Sequence, residues 1–260
     1  MIDTEHGSPP LSVFDRFPIL KEIPQERFPQ TVLIIPDGNG RFAAINHLPI
    51  SEGHKLGAHA LKKALELFVE LPIKTLLVWG FSNDNWKRPQ EEIDGIMRVM
   101  DAMLLDNVGF LKKHQVRLIR MGREDTIQTR YPDLWATMTL LEEATKHYPK
   151  KILGLLVDFS GQDQELRMIQ KAKTLPNIPI THELIDFLLR DGEGFIKPAD
   201  LVIRTSGEQR TSDIGWLGRN AEFCAIDALL PYVVEQDFVK ALVDYSKRER
   251  RFGGRPTHSS

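Results

Sequence analysis

The sequence of 260 residues predicts an α/β fold: a single domain with a central, mostly parallel six-stranded sheet flanked by helices. Six short apolar runs have the continuous hydrophobic character of strands that are covered on both faces. Segments with helical periodicity lie between these runs, and alternating strands and helices favour parallel pairing. Polar, glycine- or arginine-bearing segments follow four of the runs, which indicates loops that share one edge of the sheet.

The elements follow from the spacing of apolar residues. The predicted strands cover residues 31–35, 75–79, 116–121, 152–157, 200–203 and 223–226. Between them, apolar residues recur every three or four positions, which is the spacing of one helix face. This periodicity and its flanks predict helices over residues 56–68, 93–111, 132–147, 164–173, 181–189 and 235–251. Pro89 suits the first turn of the second helix.

The chain is expected to form one domain. After residue 29 it contains no internal repeat, low-complexity tract or linker composition, so the folded domain is predicted over residues 29–255, with a tail over residues 256–260. Residues 1–28 are expected to form a loosely ordered N-terminal extension, because terminal segments are often poorly ordered. This extension lacks the basic flank and apolar core of a signal peptide.

Composition excludes several classes of protein. The formal net charge of −2 does not call for a nucleic-acid partner, and none is expected. The single cysteine, Cys224, excludes an internal disulfide and fits a cytoplasmic protein. No segment approaches the roughly 18 apolar residues of a membrane span. The basic run over residues 247–251 is either a solvated helix end or a contact for an anionic ligand or a membrane surface.

The loop that follows the first predicted strand has the residue types of a diphosphate site. Gly38 and Gly40 allow backbone N–H groups to approach an anion closely. Arg41 offers a forked donor that matches phosphate oxygens. The carboxylate of Asp37 would repel a bare phosphate, so its presence suggests Mg²⁺ between the two. The alternative for this loop is an ordinary Asp-Gly or Asn-Gly turn.

Three other polar segments are expected at the same edge of the sheet, over residues 81–89, 158–162 and 204–213. Ligands of open α/β folds bind at that edge, although loops are polar in any protein. The familiar nucleotide signatures are missing: the sequence has no GxxxxGK[ST], no GxGxxG after a strand and no zinc-ligand spacing.

The motifs PDGNGRF, GHKLGA, FSNDNWKRP, DLVIRTSGEQRTSD, a later glutamate and RRFGG occur in this order from about Thr31 to Arg255. In this respect the chain resembles the cis-prenyltransferase family, which includes undecaprenyl diphosphate synthase. The resemblance implies extension of an allylic diphosphate, usually farnesyl diphosphate, by isopentenyl diphosphate with cis double bonds and Mg²⁺. It also implies a homodimer, and peripheral membrane contact for product release is compatible with it.

The resemblance assigns a role to each motif. Asp37 is the essential Mg²⁺-linked carboxylate, and Glu222 is the second metal-linked carboxylate. Asn85, with help from His54, is placed for the proton-removal step. The remaining positions bind the two substrates: Gly38, Asn39, Gly40, Arg41, Phe42 and Arg88 around the allylic diphosphate, Ser82 and Trp86 at the wall of the site, and Arg204, Arg210 and Ser212 around isopentenyl diphosphate.

The hydrocarbon product needs an apolar groove. Leu67, Phe68, Trp79 and the predicted helix over residues 93–111 either line this groove or form ordinary core. The RRFGG segment is expected to approach the active site or the dimer partner.

Several positions depart from the family pattern. The family usually has Met at Pro36, Trp at Phe42 and Arg at Ile50, and Asn-Tyr-Gly-Gly-Arg in place of residues 158–162. The segment over residues 215–222 is one residue shorter, which weakens the assignment of Glu222. These departures leave two alternatives open: a non-catalytic partner subunit of the same fold, and irregular prenyl transfer on the same scaffold.

Overall fold

The computed structural model describes residues 11–175, 178–189 and 196–250. The structure confirms the predicted fold class: one six-stranded sheet, every pair of neighbouring strands parallel, lies between layers of helices. The strands are β1 (Thr31–Ile35), β2 (Thr75–Ser82), β3 (Val116–Met121), β4 (Lys151–Phe159), β5 (Leu201–Thr205) and β6 (Glu222–Ile226).

Ten α-helices connect the strands within the described residues. They are α1 (Val13–Arg16), α2 (Asn39–Ile45), α3 (Ile50–Glu70), α4 (Gln90–Asp106), α5 (Val108–Lys113), α6 (Asp125–Arg130), α7 (Pro132–Thr145), α8 (Gly161–Thr174), α9 (His182–Leu189) and α10 (Glu235–Lys247). Short 3₁₀ turns lie at Pro18–Glu22, Gln25–Arg27, Asn83–Lys87, Gly215–Gly218 and Leu230–Tyr232. Among the described helices, none combines the length and apolar character needed to cross a bilayer.

The strand order β3-β4-β2-β1-β5-β6 places the chain reversal beside β1. From β1 the chain moves to β2, continues to the edge strand β3, and comes back to β4 between β2 and β3. It then crosses to the other side of β1 with β5 and β6. The carboxyl ends of β1 and β5 therefore flank the crevice where ligands of open α/β sheets bind.

The sheet is buried on both faces because alternate residues of a strand enter different cores. In β1, Val32 and Ile34 belong to the cluster beneath α3, α4 and α10, whereas Leu33 and Ile35 belong to the cluster on the other face. Each strand residue points opposite to its neighbour. Because β1 is buried on both faces, its sequence is a continuous apolar run, and this run is the pattern that predicted the strand.

One helix prediction needs correction. The helix expected over residues 93–111 is two helices, α4 and α5, with a break at Asn107. Asn107 has φ −102° and ψ 6°, outside helical geometry, and its side-chain amide donates to the carbonyl of Met103 at 2.7 Å. Asparagine side chains compete with the helical backbone in this way.

The N-terminal segment is more ordered than the sequence suggested. Residues 11–28 form α1 and two 3₁₀ turns, and Val13 and Leu20 are completely buried against the main core. The backbone N–H of Val13 donates to the Glu70 carboxylate at 2.7 Å, and Arg16 forms ion pairs with Glu70 and Glu235. Residues 1–10, the RRFGG segment after Arg250 and the 256–260 tail lie outside the described residues.

Candidate active site

Asp37 lies at the crevice, directly beyond the carboxyl end of β1. Its backbone N–H donates to the Thr205 hydroxyl at 2.7 Å, and that hydroxyl donates back to the Asp37 carbonyl at 2.7 Å. The carboxylate accepts hydrogen bonds from Arg204 at 2.8 Å and from Arg41 at 3.1 Å. Burial alone would raise its pKa, but the two guanidinium groups outweigh burial and hold the pKa below the ordinary value. Asp37 is therefore ionised at neutral pH.

Gly38 makes the turn between β1 and α2 possible. Its φ of 106° lies in the left-handed region, and a Cβ at this position would come within 3.0 Å of the Leu229 backbone. Gly40 is different, because an added Cβ would meet the Ile50 side chain at an ordinary 3.8 Å. The missing side chain at Gly40 leaves space beside Arg41 in the crevice.

Asn39 is held against α3 by two glycines. A Cβ on Gly57 would lie 2.2 Å from the Asn39 side-chain oxygen, and a Cβ on Gly53 would lie 2.4 Å from its backbone carbonyl. The Asn39 amide nitrogen lies 3.1 Å from Nδ1 of His54. An amide nitrogen can only donate, so Nδ1 accepts and the imidazole proton is on Nε2. The GHKLGA motif thus builds one wall of the site.

His54 is neutral at physiological pH. Burial, together with the positive charge of Arg88, lowers its pKa to about 4. Its Nε2 is buried without a hydrogen-bond partner, and the nearest carboxylate oxygen, on Glu92, is 3.8 Å away. Glu92 accepts instead from Arg88 at 3.0 Å. The Nε2–H group can therefore donate to an oxygen of a bound ligand.

The 3₁₀ turn Asn83–Lys87 presents the residues of the second motif. Ser82 and Asn85 form a capping box in which the Ser82 N–H donates to Asn85 Oδ1 at 3.0 Å. Since Oδ1 is used in this bond, the NH₂ group of Asn85 is the half of the amide available to a ligand. Ser82, Asn85 and Arg88 all line the cavity.

Arg204 connects the two predicted phosphate sites. It is 5% exposed, and it donates to Ser212 Oγ at 2.7 Å and to the Arg210 carbonyl at 2.8 Å while also binding Asp37. The Arg210 side chain is largely exposed and pairs with Glu208, which also lies 3.2 Å from Arg41. Glu208 thus forms ion pairs with Arg41, which lines the crevice, and with Arg210, which lies at the surface.

These groups open into a cavity of about 1100 Å³ with a polar and an apolar end. Met100 narrows the apolar end, because a Cβ on Gly80 would lie 3.0 Å from its terminal methyl group. Of the residues expected either to line the groove or to form core, Leu67 and Phe68 belong to the core, whereas Trp79 lines the cavity. Further apolar lining comes from residues that include Leu61, Val78, Ile96, Val99, Met103, Leu155, Leu166 and Ile169.

Three predicted substrate residues lie outside the described cavity lining. Phe42 is buried edge-on against Tyr232, with ring centroids 4.7 Å apart. Trp86 points into the structure, where its indole N–H donates to Asp158 at 2.7 Å. Arg210 contributes its backbone carbonyl to Arg204, and its guanidinium lies at the surface.

Glu222 is far from Asp37 within one chain. It begins β6 beside Leu201, level with Val32 at the amino end of β1, and forms an ion pair with Arg248 at 3.0 Å. Asp37 lies beyond the opposite end of the sheet, at least about 10 Å further along the strands. The two carboxylates therefore do not share a metal ion within this chain, and a metal role for Glu222 stays a prediction.

Sequence reasoning missed two carboxylates that complete the site, Glu92 and Glu208. Glu208 sits in the predicted loop over residues 204–213, but nothing in its spacing indicates a pair with Arg41. Glu92 lies between two predicted segments, and only its position four residues after Arg88 indicates an arginine partner. Their role depends on which helix face turns inward and on a left-handed bend at Ser206 and Gly207, each with φ 72°.

Comparison with known proteins identifies the family. Residues 35–253 match the model of the undecaprenyl diphosphate synthase family, Prenyltransf. The chain belongs to this family. An isoprenyl transferase of Aquifex pyrophilus is 37% identical over 87% of this chain and 96% of its own length, and that of Thermotoga maritima is 34% identical over 88% and 98%. Family membership makes the chain a prenyltransferase of the isoprenyl transferase type.

A solved structure shares the fold. Lavandulyl diphosphate synthase from Lavandula x intermedia, in complex with dimethylallyl diphosphate, matches with a TM-score of 0.81 and 26% identity, over 88% of this chain and 99% of its own. The two relatives thus carry the name isoprenyl transferase, and the solved structure carries the name lavandulyl diphosphate synthase.

Proposed function

We propose that this prenyltransferase condenses an allylic diphosphate, with farnesyl diphosphate as primer, with isopentenyl diphosphate to form a cis-polyprenyl diphosphate. The observation that carries the proposal is the two-ended cavity. Its polar end gathers Asp37, Arg88 and Arg204, and its apolar end can hold a hydrocarbon chain. A diphosphate joined to a prenyl group has the same division into a charged head and an apolar tail.

The charges at the polar end suit cleavage of the allylic C–O bond. When this bond breaks, the electron pair leaves with the diphosphate, and Arg41, Arg88 and the Nε2–H of His54 are available to bind the developing negative charge. Donors that are already in place stabilise such charge effectively. The double bond of isopentenyl diphosphate then attacks the allylic carbon, and a proton leaves the new intermediate.

Arg204, Ser212 and the exposed Arg210 form the second anion site, which we assign to isopentenyl diphosphate. Arg204 reaches both Ser212 and Asp37, so the two substrates would bind on either side of one guanidinium group. Neutral His54 and the amide of Asn85 act in this proposal as hydrogen-bond donors. The released diphosphate is the strongest base near the proton, and Asn85 is placed to orient it.

Asp37 is a suitable ligand for Mg²⁺. It is ionised and partly exposed, but among the described residues no three carboxylate, histidine or cysteine groups cluster to hold a metal. Mg²⁺ is commonly bound by one or two carboxylates and completed by substrate phosphates and water. We therefore propose that Asp37 binds Mg²⁺ together with a substrate diphosphate, where the ion would neutralise charge on the leaving group.

Product analysis tests the reaction directly. Purified protein is incubated with farnesyl diphosphate, isopentenyl diphosphate and Mg²⁺, and mass spectrometry should show products that grow in steps of one five-carbon unit. Absence of elongated product with every allylic primer would refute the proposal. Activity of the protein alone would also exclude the reading as a non-catalytic partner subunit.

Irregular coupling of prenyl units is the second candidate. The similarity to lavandulyl diphosphate synthase and the presence of Ile50 beside Gly40 favour keeping it. NMR of the product separates the two reactions, because regular elongation joins units head to tail with new cis double bonds, whereas irregular coupling gives a branched skeleton.

A homodimer and contact of the product with a membrane surface are further proposals. Leu166, Ile169 and Phe187 expose about half of their side-chain surface on α8 and α9, an apolar area that another molecule could cover. Analytical ultracentrifugation of the wild type and of Phe187→Glu tests the dimer, which the added charge should weaken. Co-sedimentation with anionic vesicles tests the membrane contact, and protein left in the supernatant would count against it.

A further inference from the structure

Asp158 is a buried carboxylate that the reaction described above does not use. It lies near the carboxyl end of β4, is fully buried, and adopts a φ of 52°, a left-handed conformation that is uncommon for residues other than glycine. A buried carboxylate in a strained backbone position is costly unless it is hydrogen-bonded on every side. The residues around Asp158 supply the hydrogen bonds that its carboxylate needs.

Two elements meet at this carboxylate. From the loop after β3, the Arg123 guanidinium donates to Oδ2 at 3.1 Å and to Oδ1 at 2.9 Å, and the Arg123 backbone N–H donates to the Asp158 carbonyl at 3.2 Å. The hydrogen bonds to Asp158 are the main cause of the raised pKa of Arg123. Arg123 neutralises the buried charge and leaves Oδ1 able to accept further bonds.

The second element is the 3₁₀ turn Asn83–Lys87. The Trp86 indole N–H donates to Oδ1 of Asp158 at 2.7 Å. The side-chain amide of Asn83, with its nitrogen turned towards Asp158, donates to the same oxygen at 3.0 Å and to the backbone carbonyl at 2.7 Å. The start and the middle of the turn are therefore both attached to one residue on a neighbouring strand.

This attachment fixes the position of active-site groups. Asn85 lies between the two anchored residues, and Arg88 follows the turn directly. The Trp86 ring is also fixed, edge-on to Phe81 with centroids 4.9 Å apart and beneath the guanidinium of Arg130 at 4.4 Å. Since the ring cannot move independently, the hydrogen bond to Asp158 sets how far the turn projects into the cavity.

We propose that Asp158 is a positioning residue: through Trp86 and Asn83 it holds the turn so that Asn85 and Arg88 face the allylic diphosphate. This inference rests on the proposed function. Arg204 and Ser212 belong to a different loop, whose hydrogen bonds do not involve Asp158. The proposal therefore makes a selective prediction, in which groups that act on the allylic substrate are disturbed and the isopentenyl site is spared.

The test is the variant Asp158→Asn. It keeps the shape and one accepting oxygen, but the NH₂ group that replaces the other oxygen would face the Arg123 Nε–H donor. It also removes the negative charge that strengthens the hydrogen bonds from Trp86 and Asn83. We expect kcat to fall by about 10- to 100-fold and KM for the allylic diphosphate to rise, since small misplacements of catalytic groups cost this much. KM for isopentenyl diphosphate should change by less than about twofold. Glu143→Gln, which breaks the exposed ion pair to Lys146, is the matched carboxylate control.

A spectroscopic measurement reports the hydrogen bond itself. In a ¹H–¹⁵N spectrum the indole N–H of Trp86, identified as the resonance missing in Trp86→Phe, should move upfield in Asp158→Asn and stay in place in Glu143→Gln. The double variant Asp158→Asn/Trp86→Phe should lose much less activity than the product of the single losses, because both changes release the same turn.

Two results would overturn the proposal. One is an unchanged Trp86 resonance with unchanged kinetics in Asp158→Asn. The other is an equal loss for both substrates with multiplicative effects in the double variant, which would show general destabilisation. If the wild-type protein elongates no primer, the proposed function fails, but the role of Asp158 can still be tested. Calorimetry then compares the binding of the allylic diphosphate to the wild type and to Asp158→Asn, and the Trp86 resonance is compared in the same two proteins.

Discussion

At the scale of single residues, the charge of Asp37 is the feature on which the site depends. Arg41 and Arg204 keep it ionised, and the Thr205 hydroxyl fixes its backbone. We predict that Asp37→Asn, which cannot supply a negative ligand to a metal, lowers kcat at least about 100-fold. Steady-state kinetics with Mg²⁺ in excess measure this, and circular dichroism should show an unchanged fold. Turnover close to that of the wild type would contradict the role of Asp37.

His54 gives a prediction for pH dependence. Its pKa of about 4 in the folded protein is below the 6.5 of a free histidine, so below pH 6.5 the unfolded chain binds a proton that the folded chain rejects. The resulting stability is complete above pH 6.5 and is lost as the pH falls towards 4. The loss should be on the order of 3 kcal/mol. Urea denaturation of wild type and His54→Gln across this range tests it, and parallel pH curves would contradict it.

Many residues of the candidate site could be predicted from the sequence, but the hydrogen bonds that join them could not. Asp37, Arg204 and Ser212 carry residue types that anion and metal chemistry require, so they could be selected one by one. The hydrogen bond from Arg204 to Asp37 joins residues 167 positions apart. Only the parallel pairing of β1 with β5 brings them together. Glu222 is the converse case, because the predicted strand over residues 223–226 already puts it at the amino end of β6, away from Asp37.

At the scale of elements, prediction succeeded where burial decides and failed where local chemistry decides. Strands β1 and β5 are buried along their whole length and appear as apolar runs, and β6 contains an apolar run although it is only half-buried up to Ala225. The helix α2 was read as a loop, because Asn39 and Gly40 are poor helix formers and the Asp37-Gly38 sequence is typical of a turn. In the structure, the turn is confined to Gly38, and the hydrogen bond of Phe42 N–H to the Gly38 carbonyl begins the helix.

The close contact of α2 with α3 is testable at Gly57. An added Cβ would lie 2.2 Å from the Asn39 side chain and 2.9 Å from Leu230, so Gly57→Ala must displace Asn39 from His54. We expect a loss of about 1–3 kcal/mol in the free energy of unfolding and a raised KM for the allylic diphosphate. Gly109→Ala in α5 is the control: nothing lies within 4 Å of its added Cβ, and alanine should stabilise that helix. Equal effects of the two substitutions would show that the α2–α3 contact is not tight.

At the scale of the whole molecule, the residues that line the cavity and the residues that hold chain segments together lie at opposite ends of the strands. The carboxyl ends of the strands carry the cavity. At the amino ends, charged pairs tie chain segments together, such as Asp200 with Arg250 and Glu222 with Arg248. Residues 11–28 enter β1 at this amino end. The sequence could not reveal their burial, because short 3₁₀ turns have no long apolar periodicity.

The N-terminal segment should therefore contribute stability without affecting catalysis. Leu20 is fully buried in the main core, whereas its neighbour Ile19 is 41% exposed. We predict that Leu20→Ala lowers the free energy of unfolding by about 2–5 kcal/mol, the usual cost of emptying a core site, while Ile19→Ala costs less than about 1 kcal/mol. Urea denaturation measures both, and kcat per folded molecule should stay within about twofold for each. A comparable loss for the two variants would mean that Leu20 is not packed against the core in solution. A selective loss of kcat in Leu20→Ala would show that the amino and carboxyl ends of the sheet are coupled, against the separation seen in the fold.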